Sequence, residues 1–203
     1  MSLGTVVAIL RISRIRFLNI LGSVYVAVFC NVPVLFWILF FYFILPDILP
    51  AGLITKSAFA HFHAIIAGIA GLTVSTASYV SDILRSGRLA LPDVQRDIAI
   101  STGLSRIQQY VYVLLPQIFR LTLAPLGTRM VHNFKNTSLC VAIVAPHLIF
   151  EMYKFDSSTF RATEAIIFAV LFYFIFSTLM ASAIIILERY LRIDARSVVQ
   201  SQT

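Results

Sequence analysis

Long apolar runs, separated by short basic clusters and by one long polar interval, set the plan of the chain. Residues 1–10 are apolar and are followed by Arg11, Arg14 and Arg16. Four longer apolar runs follow: Val24 to Leu45, with Pro33 inside it, then Phe62 to Val80, Leu121 to Ile143 and Ala165 to Leu187. A helix rises ~1.5 Å per residue and a bilayer's hydrocarbon layer is ~30 Å thick, so about 20 apolar residues make one crossing. The four long runs meet that length, whereas the first covers about half of it. The pattern predicts an all-α fold, a polytopic transmembrane helical bundle with about five membrane crossings, the first of them truncated. Residues 1–192 form the transmembrane domain and 193–203 a short cytoplasmic tail. No internal repeat or second domain is visible. Gly68, Gly71, Ser75, Thr76, Ala77 and Ser78 permit close helix contact, so the second complete crossing is expected to face other helices more than lipid. Glu151 to Arg161 reads as a mixed-charge loop.

The polar interval runs from Leu91 to Gln117. Pro92 suits a first helical turn, and Asp93 and Asp97 suit the positive end of a helix dipole. Gly103 supplies the left-handed exit that ends this first helix. Ser105 then caps a second helix, Arg106 to Leu114, which is expected to stop before Pro116. The product is a compact helix-turn-helix element that a soluble partner can grip, with Asp97 offering a carboxylate to a basic residue there. The alternative is a solvated connector with no partner.

Composition agrees with the membrane reading. Apolar residues make up 59% of the 203 and charged residues 12%, half the usual share of a soluble domain. The formal net charge of +7 does not point to nucleic acid, because the basic residues lie in short clusters between apolar runs. Eleven of them (Arg11, Arg14, Arg16, Arg85, Arg88, Arg96, Arg106, Arg120, Arg189, Arg192 and Arg196) fall on one side of a five-crossing arrangement, and Lys56, Lys154 and Arg161 on the other. That asymmetry places the polar interval in the cytoplasm. The basic residues near the start follow the apolar run, the reverse of a cleavable signal peptide. Cys30 and Cys140 both lie in apolar runs without metal or redox spacing and read as packing residues. His61 and His63 supply two metal ligands at most, with no third nearby, and read as interfacial histidines at a helix entrance. No G-x-x-x-x-G-K-[ST] phosphate loop is present, and no Ser, His and acid residues share a catalytic spacing; Ser101 and Ser105 are polar and capping positions. The chain is therefore expected to be no enzyme and to need no cofactor or metal, its energy coming from another subunit.

Two basic residues, Arg129 and Lys135, fall inside an apolar run. Arg129, His132, Asn133 and Asn136 are spaced i, i+3, i+4 and i+7, which puts them on one helix face. An ionisable group in lipid costs roughly 2.5–3.5 kcal/mol, so such a stripe normally faces a bundle interior or water. These four are the candidate solute path. The competing reading has Arg129 snorkel to the cytoplasmic edge while the amides bond neighbouring helices.

Within the polar interval, Asp97-Ile98-Ala99 is followed by Gly103 and then by Leu115-Pro116-Gln117. This spacing resembles the cytoplasmic coupling loop of ABC-transporter permeases, whose signature is Glu-Ala-Ala, three residues, Gly and a downstream Leu-Pro. Tyr79 to Gln95 resembles the family's segment before that loop, and Lys135-Asn136-Thr137-Ser138-Leu139 its segment after it. The likeness runs from about Gly4 to Arg192 and is nearest to the polar amino-acid uptake branch, the histidine, glutamine and glutamate permeases. Asp97-Ile98 stands where Glu-Ala is usual, Asp82 where Glu is usual, and Cys30 where an arginine is common. The resemblance implies a type I ABC importer permease in the bacterial cytoplasmic membrane, with a first span shortened relative to the family. Its coupling residues would be Gln95, Asp97, Ala99, Gly103, Leu115 and Pro116. The implied partners are ABC ATPase subunits, a second permease subunit (identical or not), an extracytoplasmic solute-binding protein and membrane lipid. The Phe-rich run around Pro33 resembles permeases for glutamate, aspartate or related amino acids. Two other readings stay open: an ion-coupled secondary transporter or channel subunit, and an inactive truncated permease.

Overall fold

The structure is a computed structural model that describes residues 1–48, 60–92, 94, 101, 103–105 and 108–191. Among the described residues there are helices and connecting turns but no strands. In chain order, the described helices include α1 (Ser2–Ile12), α2 (Arg16–Asn31), α3 (Val34–Ile48), α4 (Ala60–Leu89), α5 (Gln109–Ile143), α6 (Leu148–Thr159) and α7 (Ala162–Leu191). Three of them, α4, α5 and α7, are long and apolar enough to cross a membrane alone, and α2 with α3 makes a fourth if that bent pair is one span. With the short apolar α1, these account for the five apolar runs of the sequence.

The first complete span, expected over Val24 to Leu45 with Pro33 inside it, is a bent pair of helices. It begins at Arg16 and is bent by 102° between α2 and α3. The cause is Pro33. Its ring forces the preceding residue out of the helical region, and Val32 is extended at φ −95°, ψ 129°. Phe29 and Trp37 pack across the elbow with ring centroids 4.3 Å apart. Further on, α3 widens into a π-helical segment, Phe40–Ile44, in which Leu45 donates its N–H to the carbonyl of Phe40, five residues back. Pro46 comes next and has no N–H for the Tyr42 carbonyl four residues behind it. His63 of α4 meets that carbonyl instead, its Nε2 3.0 Å away. This histidine is thus a helix tie; its companion His61, as a side chain, lies outside the described residues.

Helix α4 is the hub. Over its apolar window 56% of positions are buried, against 6% for α7, which leaves α7 an outer helix with an apolar surface. The expectation that α4 faces protein follows from its small residues: Ala64, Ala67, Ser75, Ala77, Ser78 and Ser81 are all buried. Gly71 sits against the backbone of α3, where an added Cβ would come 2.7 Å from the amide nitrogen of Ile38. Ile38, Ala64, Ala67, Leu72, Cys140, Ile143 and Ala145 form the core cluster at this crossing. Cys140 is buried and Cys30 half-buried, both as free thiols. Helix α1 lies along the other side of α4 through Gly4, Val7 and Ala8, and its last turn is tied down by an Arg11–Asp82 ion pair of 2.5 Å.

Two more expectations are corrected. Pro116 does not stop a helix: a π-helical segment, Gln109–Leu114, runs straight into Leu115–Asn136, with Leu115 donating to the Tyr110 carbonyl just before the proline. The wider π turn places the missing N–H of Pro116 where the register is already changing, so the chain continues helical. The stretch Glu151 to Arg161 is not a loop either. It is largely α6, supported by a Glu151–Lys154 pair of 2.9 Å with the ammonium 4.5 Å above the Phe150 ring.

Candidate functional site

The polar interval leaves the end of α4 and returns at the start of α5. Ala90 and Leu91 still donate to the carbonyls of Ser86 and Arg88. Asp93, Gln95, Arg96 and Asp97 through Ile100 lie outside the described residues, and with them the first short helix and three of the candidate coupling residues, Gln95, Asp97 and Ala99. Gly103 has φ +71°, the left-handed conformation expected of it, and open space where a Cβ would stand. Ser105 caps the next helix as expected. Its Oγ accepts from the backbone N–H of Gln108 at 3.4 Å, and Gln108 returns its side-chain oxygen to the backbone N–H of Ser105 at 2.9 Å. That reciprocal pair is a capping box, readable beforehand in the Ser-x-x-Gln spacing. Leu115 and Pro116 stand exposed on the first α-helical turn of α5.

The polar stripe divides. Arg129 lies nine positions beyond Arg120, about 14 Å along the axis. Its guanidinium carbon sits 3.7 Å from the ring centroid of Tyr79 on α4, and its buried Nε meets no acceptor among the described residues. Asn133 accepts a 2.6 Å hydrogen bond from Thr76 Oγ1, one turn away on both helices. Asn136 is half-buried and His132 is exposed. The structure therefore brings Arg129 and Asn133 together against α4 and leaves His132 on an open surface. Lys135 points elsewhere, into a groove of about 900 Å³ between α5 and α7 that Ser138, Tyr173 and Ser177 also line.

Sequence reasoning missed the α4 half of this cluster. Tyr79 stacks on the guanidinium and donates its hydroxyl to the Cys30 carbonyl at 3.4 Å, which brings the end of α2 to the same place. Thr76 and Tyr79 are spaced i, i+3, as complementary to Arg129 and Asn133 as two facing helices require. That spacing was the available signal. The arrangement is a cation on an aromatic face with an amide and a hydroxyl one turn above, at the meeting of three helices. It offers donors to an anionic or carboxylate group.

Known proteins resemble this chain along nearly its full length. It is 29% identical to a probable glutamine ABC transporter permease protein of Bacillus subtilis, over 93% of this chain and 83% of that one. It is 28% identical to a glutamate/aspartate import permease protein of Escherichia coli, over 94% of this chain and 78% of the relative. A solved amino acid ABC transporter chain superposes with a TM-score of 0.80 at 24% identity, covering 93% of this chain and 84% of its own, which establishes a shared fold. The model of the binding-protein-dependent transport system inner membrane component family matches residues 1–193. A multi-pass helical bundle with one polar interval between its long helices, matched by that model over residues 1–193, identifies the chain as a member of the binding-protein-dependent transport system inner membrane component family.

Proposed function

We propose that this chain is the permease subunit of an ATP-driven ABC importer for polar amino acids, of the glutamate, aspartate or glutamine kind, in the bacterial cytoplasmic membrane. The observation that carries the reading is the polar interval inserted between α4 and α5, a capped and turned element in a chain whose remaining long segments are apolar. ABC ATPase subunits bind there through Gln95, Asp97, Ala99, Gly103, Leu115 and Pro116, on the cytoplasmic side that the Arg asymmetry selects. A solute-binding protein delivers the amino acid to the opposite face, and a second permease subunit completes the path. Along that path Arg129, with Asn133 and Tyr79, holds the carboxylate of the solute by charge-assisted hydrogen bonds that are weak enough, in a watery cavity, to release it.

The test is reconstitution with the ATPase and the solute-binding protein in proteoliposomes. Uptake of labelled glutamate, aspartate or glutamine should require internal ATP and the binding protein together. Uptake driven by an ion gradient without ATP would overturn the reading in favour of a secondary transporter.

A further inference from the structure

The end of α4 and the start of α5 are joined to each other across the polar interval. Arg88, in the last turn of α4, donates from Nη2 to the hydroxyl of Tyr110 at 2.9 Å, and its guanidinium carbon lies 5.8 Å from that ring's centroid. These residues are 22 positions apart, Arg88 just before the interval and Tyr110 within its last third, where α5 begins. Immediately beside Arg88, Gly87 packs against α5 so closely that a Cβ there would collide with Thr122 Cγ2. Tyr110 lies twelve residues before Thr122, about 18 Å along α5. Beyond the Gly87–Thr122 crossing, α4 and α5 are joined on one side by the Thr76–Asn133 hydrogen bond and on the other, toward the polar interval, by Arg88 and Tyr110. Arg88 leaves α4 right beside the crossing, so its long side chain is the tie that reaches the start of α5.

We infer that Arg88 and Tyr110 form a staple that makes α4 and α5 move as one body when the interval is pushed, so that both are positioning residues for coupling. This rests on the reading of the interval as the ATPase contact. Without the staple a push on the interval is spent on splaying the end of α4 from the start of α5. Tyr110 also lies in the π-helical segment, where a return to α-helical register would turn its ring to another face of α5, so the staple and the π register hold each other.

The experiment uses the full complex of permease, ATPase and solute-binding protein in proteoliposomes and reads solute moved per ATP hydrolysed, together with co-purification of the ATPase. Tyr110→Phe removes the acceptor and keeps the ring; Arg88→Gln removes the charge. Each is expected to lower the ratio about threefold to tenfold, the range of an ordinary intramolecular hydrogen bond since this one is exposed to solvent, with co-purification retained. The double variant should be no worse than either single one, because both remove one contact. Arg88→Lys should keep most of the ratio. A ratio unchanged in Tyr110→Phe and Arg88→Gln, effects that multiply in the double variant, or parallel losses of assembly, ATPase and uptake at constant ratio would each overturn the staple. Cross-linking from Gln95→Cys or Ala99→Cys to the ATPase separates the two levels. No cross-link under turnover defeats the ATPase contact and the staple with it, while a cross-link with an unmoved ratio defeats the staple alone.

Discussion

Replacing Arg129 by Gln is expected to reduce uptake of carboxylate solutes roughly tenfold to a hundredfold while leaving the complex assembled. The magnitudes decide between a path residue and an anchor. A guanidinium at membrane depth costs roughly 2.5–3.5 kcal/mol in lipid, and its contact with the Tyr79 face, at 3.7 Å, returns about 1–2 kcal/mol. Removing the charge relieves the first term and loses the second, so assembly should change little. A hydrogen bond from the guanidinium to a solute carboxylate contributes about 1.5–3 kcal/mol, which is the tenfold to hundredfold in rate. Arg129→Lys keeps the charge and loses the planar fork and the stacking, so it should fall between wild type and Arg129→Gln. The assay measures three quantities for each variant: co-purification with the ATPase, ATP hydrolysis stimulated by loaded binding protein, and uptake. A fully active Arg129→Gln complex would refute the proposed role. So would an Arg129→Lys protein equal to wild type beside an Arg129→Gln protein that loses assembly and uptake together, since that is the behaviour of a snorkelling anchor.

Three further outcomes are expected. Gly103→Val should impair coupling while Gly103→Asn stays near wild type, because the site is open and only its positive φ of 71° discriminates; equal transport per ATP in both variants would refute this. Gly71→Ala should destabilise the detergent-solubilised protein by about 1–3 kcal/mol, read as a lower melting temperature, and Ile38→Ala in the same chain should not restore it, since the added methyl meets the Ile38 backbone. In a background with Cys30 and Cys140 replaced by Ser, Asp156→Cys should react with an impermeant thiol reagent in intact cells and Asp93→Cys should not; labelling of both from outside would defeat the five-crossing topology.

Apolar length made the bundle legible, and small residues made its hub legible: Gly68, Gly71, Ser75 and Ser78 announced a helix that other helices approach closely. Cap chemistry was legible as well, in the positive φ of Gly103 and the helix start at Ser105. The prolines were misleading. Pro33, inside an apolar run long enough for one crossing, bends it by 102°, while Pro116, whose ring chemistry predicts a stop, is passed through. The difference lies in the backbone around each one: Val32 turns extended before Pro33, whereas a π segment precedes Pro116, and neither register is written in residue type. His132 shows the limit of periodicity. Its spacing from Arg129 places it on the same stripe, but contact with α4 is narrower than a stripe, and only Arg129 and Asn133 reach Tyr79 and Thr76.

The two parts of the candidate site belong to one helix pair. Helices α4 and α5 touch at Gly87 with Thr122 and again at Thr76 with Asn133, and eleven residues separate the two contacts on each helix. Eleven residues are three turns at 3.67 residues per turn, close to the natural 3.6, so each helix brings the same face back to its neighbour after about 16 Å. The helices run antiparallel along that length, since the contact later on α4 is the earlier one on α5. Because Pro116 and Pro125 are both accommodated within α5, the backbone is helical from Gln109, in the last third of the polar interval, to Asn133 beside Arg129. A broken helix would absorb a push by bending at the break. On the proposed coupling role, a displacement imposed at the interval reaches the Thr76–Asn133 contact, one turn from the guanidinium, and alters either that hydrogen bond or the stacking of Arg129 on Tyr79.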